Sequence, residues 1–147
     1  FQAFCRGDVP MLATDHAPHA PEEKERGFGE APSGVPGVET GFSMLLALVK
    51  RGFLPLAVLL KAACLTPART FGVNKGEIAE GRDADLVVVD PREIVRIKGK
   101  ELHSKCGWTP YEGREALFPQ AVFLRGRLVL RDGSVQEEGR GREVPYA

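Results

Sequence analysis

An aspartate and two histidines lie within five consecutive residues, Asp15-His16-Ala17-Pro18-His19. A carboxylate beside imidazoles suits a borderline divalent cation such as zinc, and it also suits proton transfer near neutral pH. Pro18 disfavours a helix here, because an interior proline loses a hydrogen bond and clashes with the preceding turn. We therefore expect these side chains at the end of a strand and in the loop that follows it. The alternative from the residues alone is an aspartate that caps a turn beside two solvated histidines.

The histidine count limits the metal chemistry of the chain. A catalytic zinc typically takes three protein ligands and keeps one position open. The chain has only three histidines, and His103 lies in a different half of the sequence from His16 and His19. We therefore expect the chain to contribute a ligand to a metal site but not to build that site alone.

The residues around the Asp15 motif have distinct patterns. The apolar run at residues 11–14 is typical of a short, buried parallel strand that ends at Asp15. Residues 27–41 contain five glycines and two prolines, which predicts a long loop. Loops of this length are uncommon in compact domains and are often functional. The motif therefore lies between a predicted strand and a predicted functional loop.

The apolar pattern changes from helical to extended at about residues 72–78. Three helices are predicted, over residues 42–49, 56–63 and 66–72, the last with Thr66 as its cap. The β-branched run at residues 85–90 predicts a strand, and residues 121–130 predict a hairpin around Arg125-Gly126, followed by a second turn at Asp132-Gly133. The first part reads as the end of an α/β unit and the second as antiparallel β structure.

Length and charge exclude several classes of protein. A complete (β/α)8 barrel needs about 250 residues, whereas this chain has 147. Its 20 basic and 20 acidic side chains balance, so no electrostatic argument favours nucleic acid or an anionic membrane as a partner. No apolar run reaches the roughly 20 residues that a membrane-spanning helix needs.

Four stretches make the chain resemble the C-terminal part of a dihydroorotase of the amidohydrolase superfamily. They are ATDHAPH at residues 13–19, SGVPGVET at 33–40, TPARTFG at 66–72 and KGEIAEGRDADLV at 75–87. Residues 104–113 and the Arg125-Gly126 hairpin are similar to the closing segment of that family. The last two of the four stretches mark only the superfamily, whereas the first two favour dihydroorotase over hydantoinase, which usually lacks a histidine at the position of His19.

The resemblance implies an α/β fold, namely the C-terminal part of a (β/α)8 TIM barrel followed by part of a small β-sandwich. Residues 1–72 would be the end of the barrel, with residues 11–15 as its eighth strand, then the active-site loop and closing helices. Residues 73–147 would be a sandwich segment and a C-terminal tail from Gln136.

The resemblance also implies a reaction, the reversible cyclisation of N-carbamoyl-L-aspartate to dihydroorotate in pyrimidine biosynthesis. Asp15 matches a residue that is both a zinc ligand and the general base, then acid, of the reaction. His19 matches a residue that contacts the substrate carboxylate. The backbone at Pro36 and Gly37 matches a substrate-binding loop. The resemblance assigns no role to His16.

Several residues of the family site have no counterpart in this chain. The family's H-x-H pair, its carboxylated lysine, its later metal histidines and its substrate-binding Arg and Asn are all absent from the sequence. Most ligands of the one or two expected zinc ions would therefore lie outside the chain. We expect the 147 residues to be inactive alone and to need the remainder of the polypeptide.

The resemblance implies a cytoplasmic enzyme that acts on a small molecule and binds neither nucleic acid nor a membrane. A homo-oligomer and a complex with aspartate transcarbamoylase are further partners that it implies. Two alternatives stay open, a non-catalytic assembly module for aspartate transcarbamoylase and another cyclic amidohydrolase such as allantoinase.

Overall fold

The computed structural model describes residues 1–136 and 141–144. Its α-helices precede its strands, as the change of apolar pattern predicts. The α-helices are α1 (Gln2–Cys5), α2 (Pro21–Lys24), α3 (Gly41–Lys50), α4 (Leu56–Leu60) and α5 (Thr66–Thr70). The predicted tail from Gln136 falls largely on residues 137–140 and 145–147, which lie outside the described residues.

Helix α3 confirms the prediction over residues 42–49. Its apolar side chains recur at helical spacing, and it ends just before Gly52, whose φ of +77° favours glycine. Ser43 and Ala47 are the buried residues of α3. No helix within the described residues is both long enough and apolar enough to cross a bilayer.

Helices α4 and α5 form one continuous helical segment, joined by a π-helical turn over Lys61–Leu65. The predicted break before Thr66 is therefore wrong, since Thr66 has helical angles of φ −65° and ψ −47°. Pro67 explains the arrangement. In the wider π turn the carbonyl of Ala62 would accept from residue 67, but proline has no N–H. That carbonyl instead accepts the N–H of Leu12 at 3.0 Å.

The strand predicted over residues 11–15 is not formed. Leu12 bonds to the helical carbonyl of Ala62, and an isolated parallel bridge joins His16 to Val35. A buried parallel strand needs neighbouring strands on its edges, and the described residues provide this segment with none. Its place as an eighth barrel strand stays a prediction.

The described part of the chain continues with six strands in two antiparallel sheets. They are β1 (Leu86–Val88), β2 (Val95–Arg96), β3 (Glu115–Ala116), β4 (Ala121–Leu124), β5 (Arg127–Arg131) and β6 (Ser134–Val135). The larger sheet has the order β1-β4-β5-β6, and β2 pairs with β3. The predicted hairpin is confirmed, because φ is +49° at Arg125 and +76° at Gly126, as a type I′ turn requires.

The helical part and the sheets pack against each other through α3. The amide of Leu117 donates to the carbonyl of Ser43 at 2.9 Å, and Ala116 is completely buried. Arg51 at the end of α3 makes two hydrogen bonds to the Glu115 carboxylate, at 3.0 and 2.7 Å. The mixed helix and sheet content agrees with the expected α/β class, and the division at residue 72 stays a prediction.

Candidate functional site

The Asp15 motif and the glycine-rich loop are held together by the ring of His16. We call residues 15–20 the first site loop and residues 33–40 the second site loop. The His16 Nδ1 atom accepts the N–H groups of Gly37 at 3.0 Å and of Val38 at 3.2 Å. The amide of Ala17 also donates to the carbonyl of Val35 at 3.1 Å. Because Nδ1 accepts two hydrogen bonds, it carries no proton here, and its lone pair is not free to bind a metal.

Close backbone approach explains Gly34 of the second site loop. A Cβ at Gly34, where φ is +98°, would lie 2.5 Å from the Cβ of Ala17. A Cβ at Gly37 would lie 3.4 Å from the carbonyl oxygen of Thr14, which is an ordinary van der Waals contact. At Gly34 the two loops can therefore approach this closely only because a side chain is missing.

Asp15 is positioned by an unusual backbone conformation. Its φ is +46°, a left-handed value that aspartate tolerates better than most residues. The side chain is exposed, and within the described residues its carboxylate takes part in neither a hydrogen bond nor an ion pair. The carboxylate is thus open to a ligand or a proton.

His19 is half-buried and lies on the same loop as Asp15. Its Nδ1 is 3.9 Å from a carboxylate oxygen of Glu23. Glu23 in turn accepts the amide of Ala20 at 2.9 Å, which caps the start of α2. The carbonyl of His19 accepts the indole N–H of Trp108 at 2.8 Å. The backbone of His19 is therefore held from the second half of the chain.

Lys24 connects α2 to the second site loop. Its ammonium group donates to the carbonyls of Pro32 at 2.6 Å and Gly34 at 3.2 Å. The same group lies 6.0 Å from the ring centre of Trp108, within the range of a cation–π contact. Lys24 therefore ties α2 both to the second site loop and to Trp108.

Glu39 and His103 form an ion pair beside the second site loop. The carboxylate of Glu39 accepts the backbone N–H of His103 at 2.9 Å and lies 2.7 Å from its Nδ1. The hydrogen bond to Glu39 raises the pKa of His103 above its ordinary value of 6.5. Partial burial opposes this shift, whereas Coulombic attraction to Glu39 and the Gly133 backbone reinforce it. A cavity of about 240 Å³ lies between His103 and the loop. Thr40 lies on its wall, and its hydroxyl is buried and has no hydrogen-bond partner among the described residues.

The side chains described here do not complete a metal site. Within the described residues, no group of three or more His, Cys, Asp or Glu side chains is placed to hold an ion. Asp15 offers one carboxylate, and the Nδ1 of His16 is occupied by backbone amides. The described residues therefore do not by themselves fit a complete zinc site.

The match to the family described as Amidohydrolase family covers residues 3–129. This chain belongs to the amidohydrolase family. Dihydroorotases from Methanosarcina acetivorans and Halobacterium salinarum are 44% and 45% identical to this amidohydrolase chain, over 92% and 98% of its length. Among solved structures, the D-hydantoinase from Thermus sp. is 34% identical with a TM-score of 0.87, over 93% of the chain.

The amidohydrolase chain spans about a third of these proteins. It covers 30% and 34% of the two dihydroorotases and 31% of the hydantoinase. The predicted resemblance to dihydroorotase is confirmed. The similarity to a hydantoinase of known structure shows that the two share this part of the fold.

The structure brings together some of the predicted site residues through contacts that local patterns missed. Pro36 and Gly37 lie on the loop that His16 holds, and Asp15 and His19 lie on the other. The sequence patterns assigned no role to His16 and did not single out Trp108. They also placed His103 in a distant half of the chain. The signal that could have found His103 is the isolated Glu39 in a loop otherwise poor in charge.

Proposed function

We propose that this chain is the C-terminal part of a zinc-dependent dihydroorotase. The enzyme would interconvert N-carbamoyl-L-aspartate and dihydroorotate in pyrimidine biosynthesis. The observation that carries the proposal is the 44–45% identity to dihydroorotases across nearly the whole chain. The hydrogen bonds from Gly37 and Val38 to His16 support it, since they link the loop of His19 to the loop of Pro36.

Asp15 would move the proton in this reaction. Its carboxylate is exposed and has no partner within the described residues, so it can accept a proton from the attacking nucleophile and return it to the leaving amide nitrogen. The same carboxylate would supply one ligand to zinc, which the complete enzyme would bind mainly through residues outside this chain. The 147 residues alone would then be inactive.

His19 and Pro36 would orient the substrate. The His19 imidazole can donate a hydrogen bond to the substrate carboxylate. In the second site loop, the amide of Gly37 is already bound to His16 and its carbonyl to Gly41. The carbonyl of Pro36 accepts no hydrogen bond within the described residues, so it is the acceptor available to a substrate N–H. Pro36 would therefore contribute more than Gly37 to direct binding.

Two other functions remain as alternatives. The similarity to the D-hydantoinase favours a cyclic amidohydrolase with another ring substrate, such as allantoin. A non-catalytic assembly module for aspartate transcarbamoylase is the second, although the presence of both Asp15 and His19 argues against a degenerate site. We propose a cytoplasmic location, supported by three free cysteines in the described residues. A homo-oligomer stays part of the proposal.

The test is the activity of the complete polypeptide that contains this chain. We expect turnover of dihydroorotate and much slower turnover of hydantoin and allantoin. Asp15→Asn should lower kcat by about 100-fold or more, because the amide cannot accept the proton. The matched control is Asp8→Asn, an exposed aspartate whose partner is Arg6, and it should leave kcat unchanged. Wild-type turnover in Asp15→Asn would contradict the assigned role, and faster turnover of allantoin would favour the alternative.

A further inference from the structure

The two site loops have little regular structure of their own. Within residues 15–40 the described elements are the four-residue helix α2 and the single bridge between His16 and Val35. A loop without a sheet or a long helix relies on contacts from other elements to keep one conformation. The residues that make such contacts therefore decide how the site is arranged.

One segment that is distant in sequence contacts both loops. Residues 102–108 follow a 3-10 helix over Gly99–Glu101 in the second half of the chain. His103 binds Glu39 in the second site loop through both its backbone N–H and its ring. Trp108 binds the carbonyl of His19 in the first site loop. The segment thus bridges the loops at two points, across 64 and 89 positions of sequence.

Both contacts act on groups to which the proposed function gives no direct part in substrate binding. Glu39 is two residues beyond Gly37, and Trp108 touches the backbone of His19 rather than its imidazole. His103 and Gly133, the latter in the turn between β5 and β6, line one cavity. Trp108 also lies close to the ammonium of Lys24, which holds the carbonyls of Pro32 and Gly34. Through Trp108 and Lys24 the segment therefore lies next to both site loops.

We propose that residues 102–108 are a positioning segment that, together with the His16 contacts, fixes how the two site loops lie relative to each other. His103 and Trp108 hold Glu39 and the His19 backbone, so that the His19 ring and the Pro36 carbonyl can bind the same small, anionic ring substrate. This inference rests on the proposed function, since it gives His19 and Pro36 their roles. His103 and Trp108 are positioning residues, and neither touches the reacting atoms.

Glu39→Gln tests the first contact in the complete polypeptide. Gln has one oxygen where Glu has two and carries no charge, so it cannot keep both acceptor positions and loses the ion pair with His103. We expect KM for dihydroorotate to rise about tenfold, the scale on which outer positioning groups act, while kcat changes by less than about threefold. The matched control is Glu115→Gln. Glu115 also forms a long-range ion pair, with Arg51, but it contacts neither loop, and KM should stay within about twofold.

His103 and Trp108 supply the second set of variants. His103→Ala should raise KM as Glu39→Gln does. The double variant should raise KM little further, because both substitutions remove the same contact, the one between the two side chains. His103→Asn keeps an N–H donor near the position of Nδ1 and should restore KM to within about threefold of wild type. Trp108→Phe keeps the ring but removes the indole donor, and KM should rise by about fivefold to tenfold.

The outcomes separate the two proposals. If the wild-type polypeptide does not turn over dihydroorotate, the proposed function fails before any variant is compared. If the wild type is active and KM is unchanged in Glu39→Gln and in Trp108→Phe, the positioning role is wrong. Equal KM changes in Glu39→Gln and Glu115→Gln would also overturn it, since they would indicate a general loss of stability. Should Glu39→Gln fail to fold, Trp108→Phe decides the question in the same way.

Discussion

The side chains of His103 and Glu39 meet at 2.7 Å although they are 64 positions apart. Their hydrogen bond holds the pKa of His103 above 6.5 in the folded protein. A histidine with a raised folded-state pKa stabilises the fold fully at pH values below the unfolded-state pKa. That contribution is lost as the pH rises through the folded-state value. The pair therefore links the stability of the site loops to pH.

This linkage predicts a pH-dependent effect of His103→Ala in the complete polypeptide. The Tm difference between wild type and variant should be larger at about pH 6 than at about pH 9, because the charged ring is present only at the lower pH. Differential scanning calorimetry at the two pH values measures it. In a Glu39→Gln background the difference should become nearly independent of pH. A Tm difference that is equal at both pH values in the wild-type background would contradict the ion pair.

At the scale of elements, the helical segment of α4 and α5 carries two contacts that its π turn makes available. The carbonyl of Ala62 accepts Leu12 and so supports the chain that leads to Asp15. Gly76, which follows the helical segment in sequence, packs closely against it. A Cβ added at Gly76 would lie 2.6 Å from the carbonyl oxygen of Cys64 and 2.7 Å from the Cβ of Ala68. The segment therefore holds the approach to the site and the first residues of the β-rich part.

Gly76→Ala should destabilise the protein more than Gly81→Ala. Both glycines have a left-handed φ, +89° and +83°, but a Cβ at Gly81 meets nothing within 4 Å. Gly81→Ala should cost about 1 kcal/mol from backbone strain alone. Gly76→Ala should cost about 1–3 kcal/mol more, because the backbone of Cys64 must move. Urea unfolding of the two variants in the complete polypeptide measures the difference, and equal losses would show that the close approach is not maintained in solution.

Local elements were the part of the fold that residue patterns could predict. Helix α3 and the Arg125-Gly126 hairpin follow from neighbouring residues, because helical spacing and turn chemistry act over a few positions. The pattern failed at residues 11–15 and at Thr66. Residues 11–15 form no strand because the described residues give them no neighbouring strand to pair with. At Thr66 the helix continues through a π turn, in which the missing N–H of Pro67 leaves a carbonyl free for another donor.

At the scale of the molecule, the chain exposes more surface than a compact protein of its size. Its accessible surface is 10339 Å², whereas a compact monomer of 16.0 kDa is expected to expose about 7,400 Å². Large apolar side chains contribute to the excess, among them Phe28, Phe53 and Ile78. Strand β1 lies at the edge of its sheet, and all three of its residues are exposed. This surface is suited to being covered by further protein.

The isolated 147 residues should therefore associate or unfold without a sharp transition. Exposed apolar patches and an uncovered edge strand favour pairing with other chains. We expect light scattering to show species above 16.0 kDa and calorimetry to show no cooperative monomer transition. Within the complete polypeptide the same residues should unfold cooperatively. A monomer of the isolated chain with one sharp transition would contradict this expectation.

The sequence by itself determined which residues have side chains suited to catalysis or metal binding. It also determined most of the local elements and the family resemblance. Asp15, His19, Pro36 and Gly37 were all predicted as site residues from short motifs, because a motif is a property of adjacent residues, and their roles stay predictions. Only the tertiary structure decided that His16 binds the second site loop and that His103 and Trp108 reach both loops. Those contacts join residues between 21 and 89 positions apart. No local pattern records such pairs, since they depend on how whole elements pack.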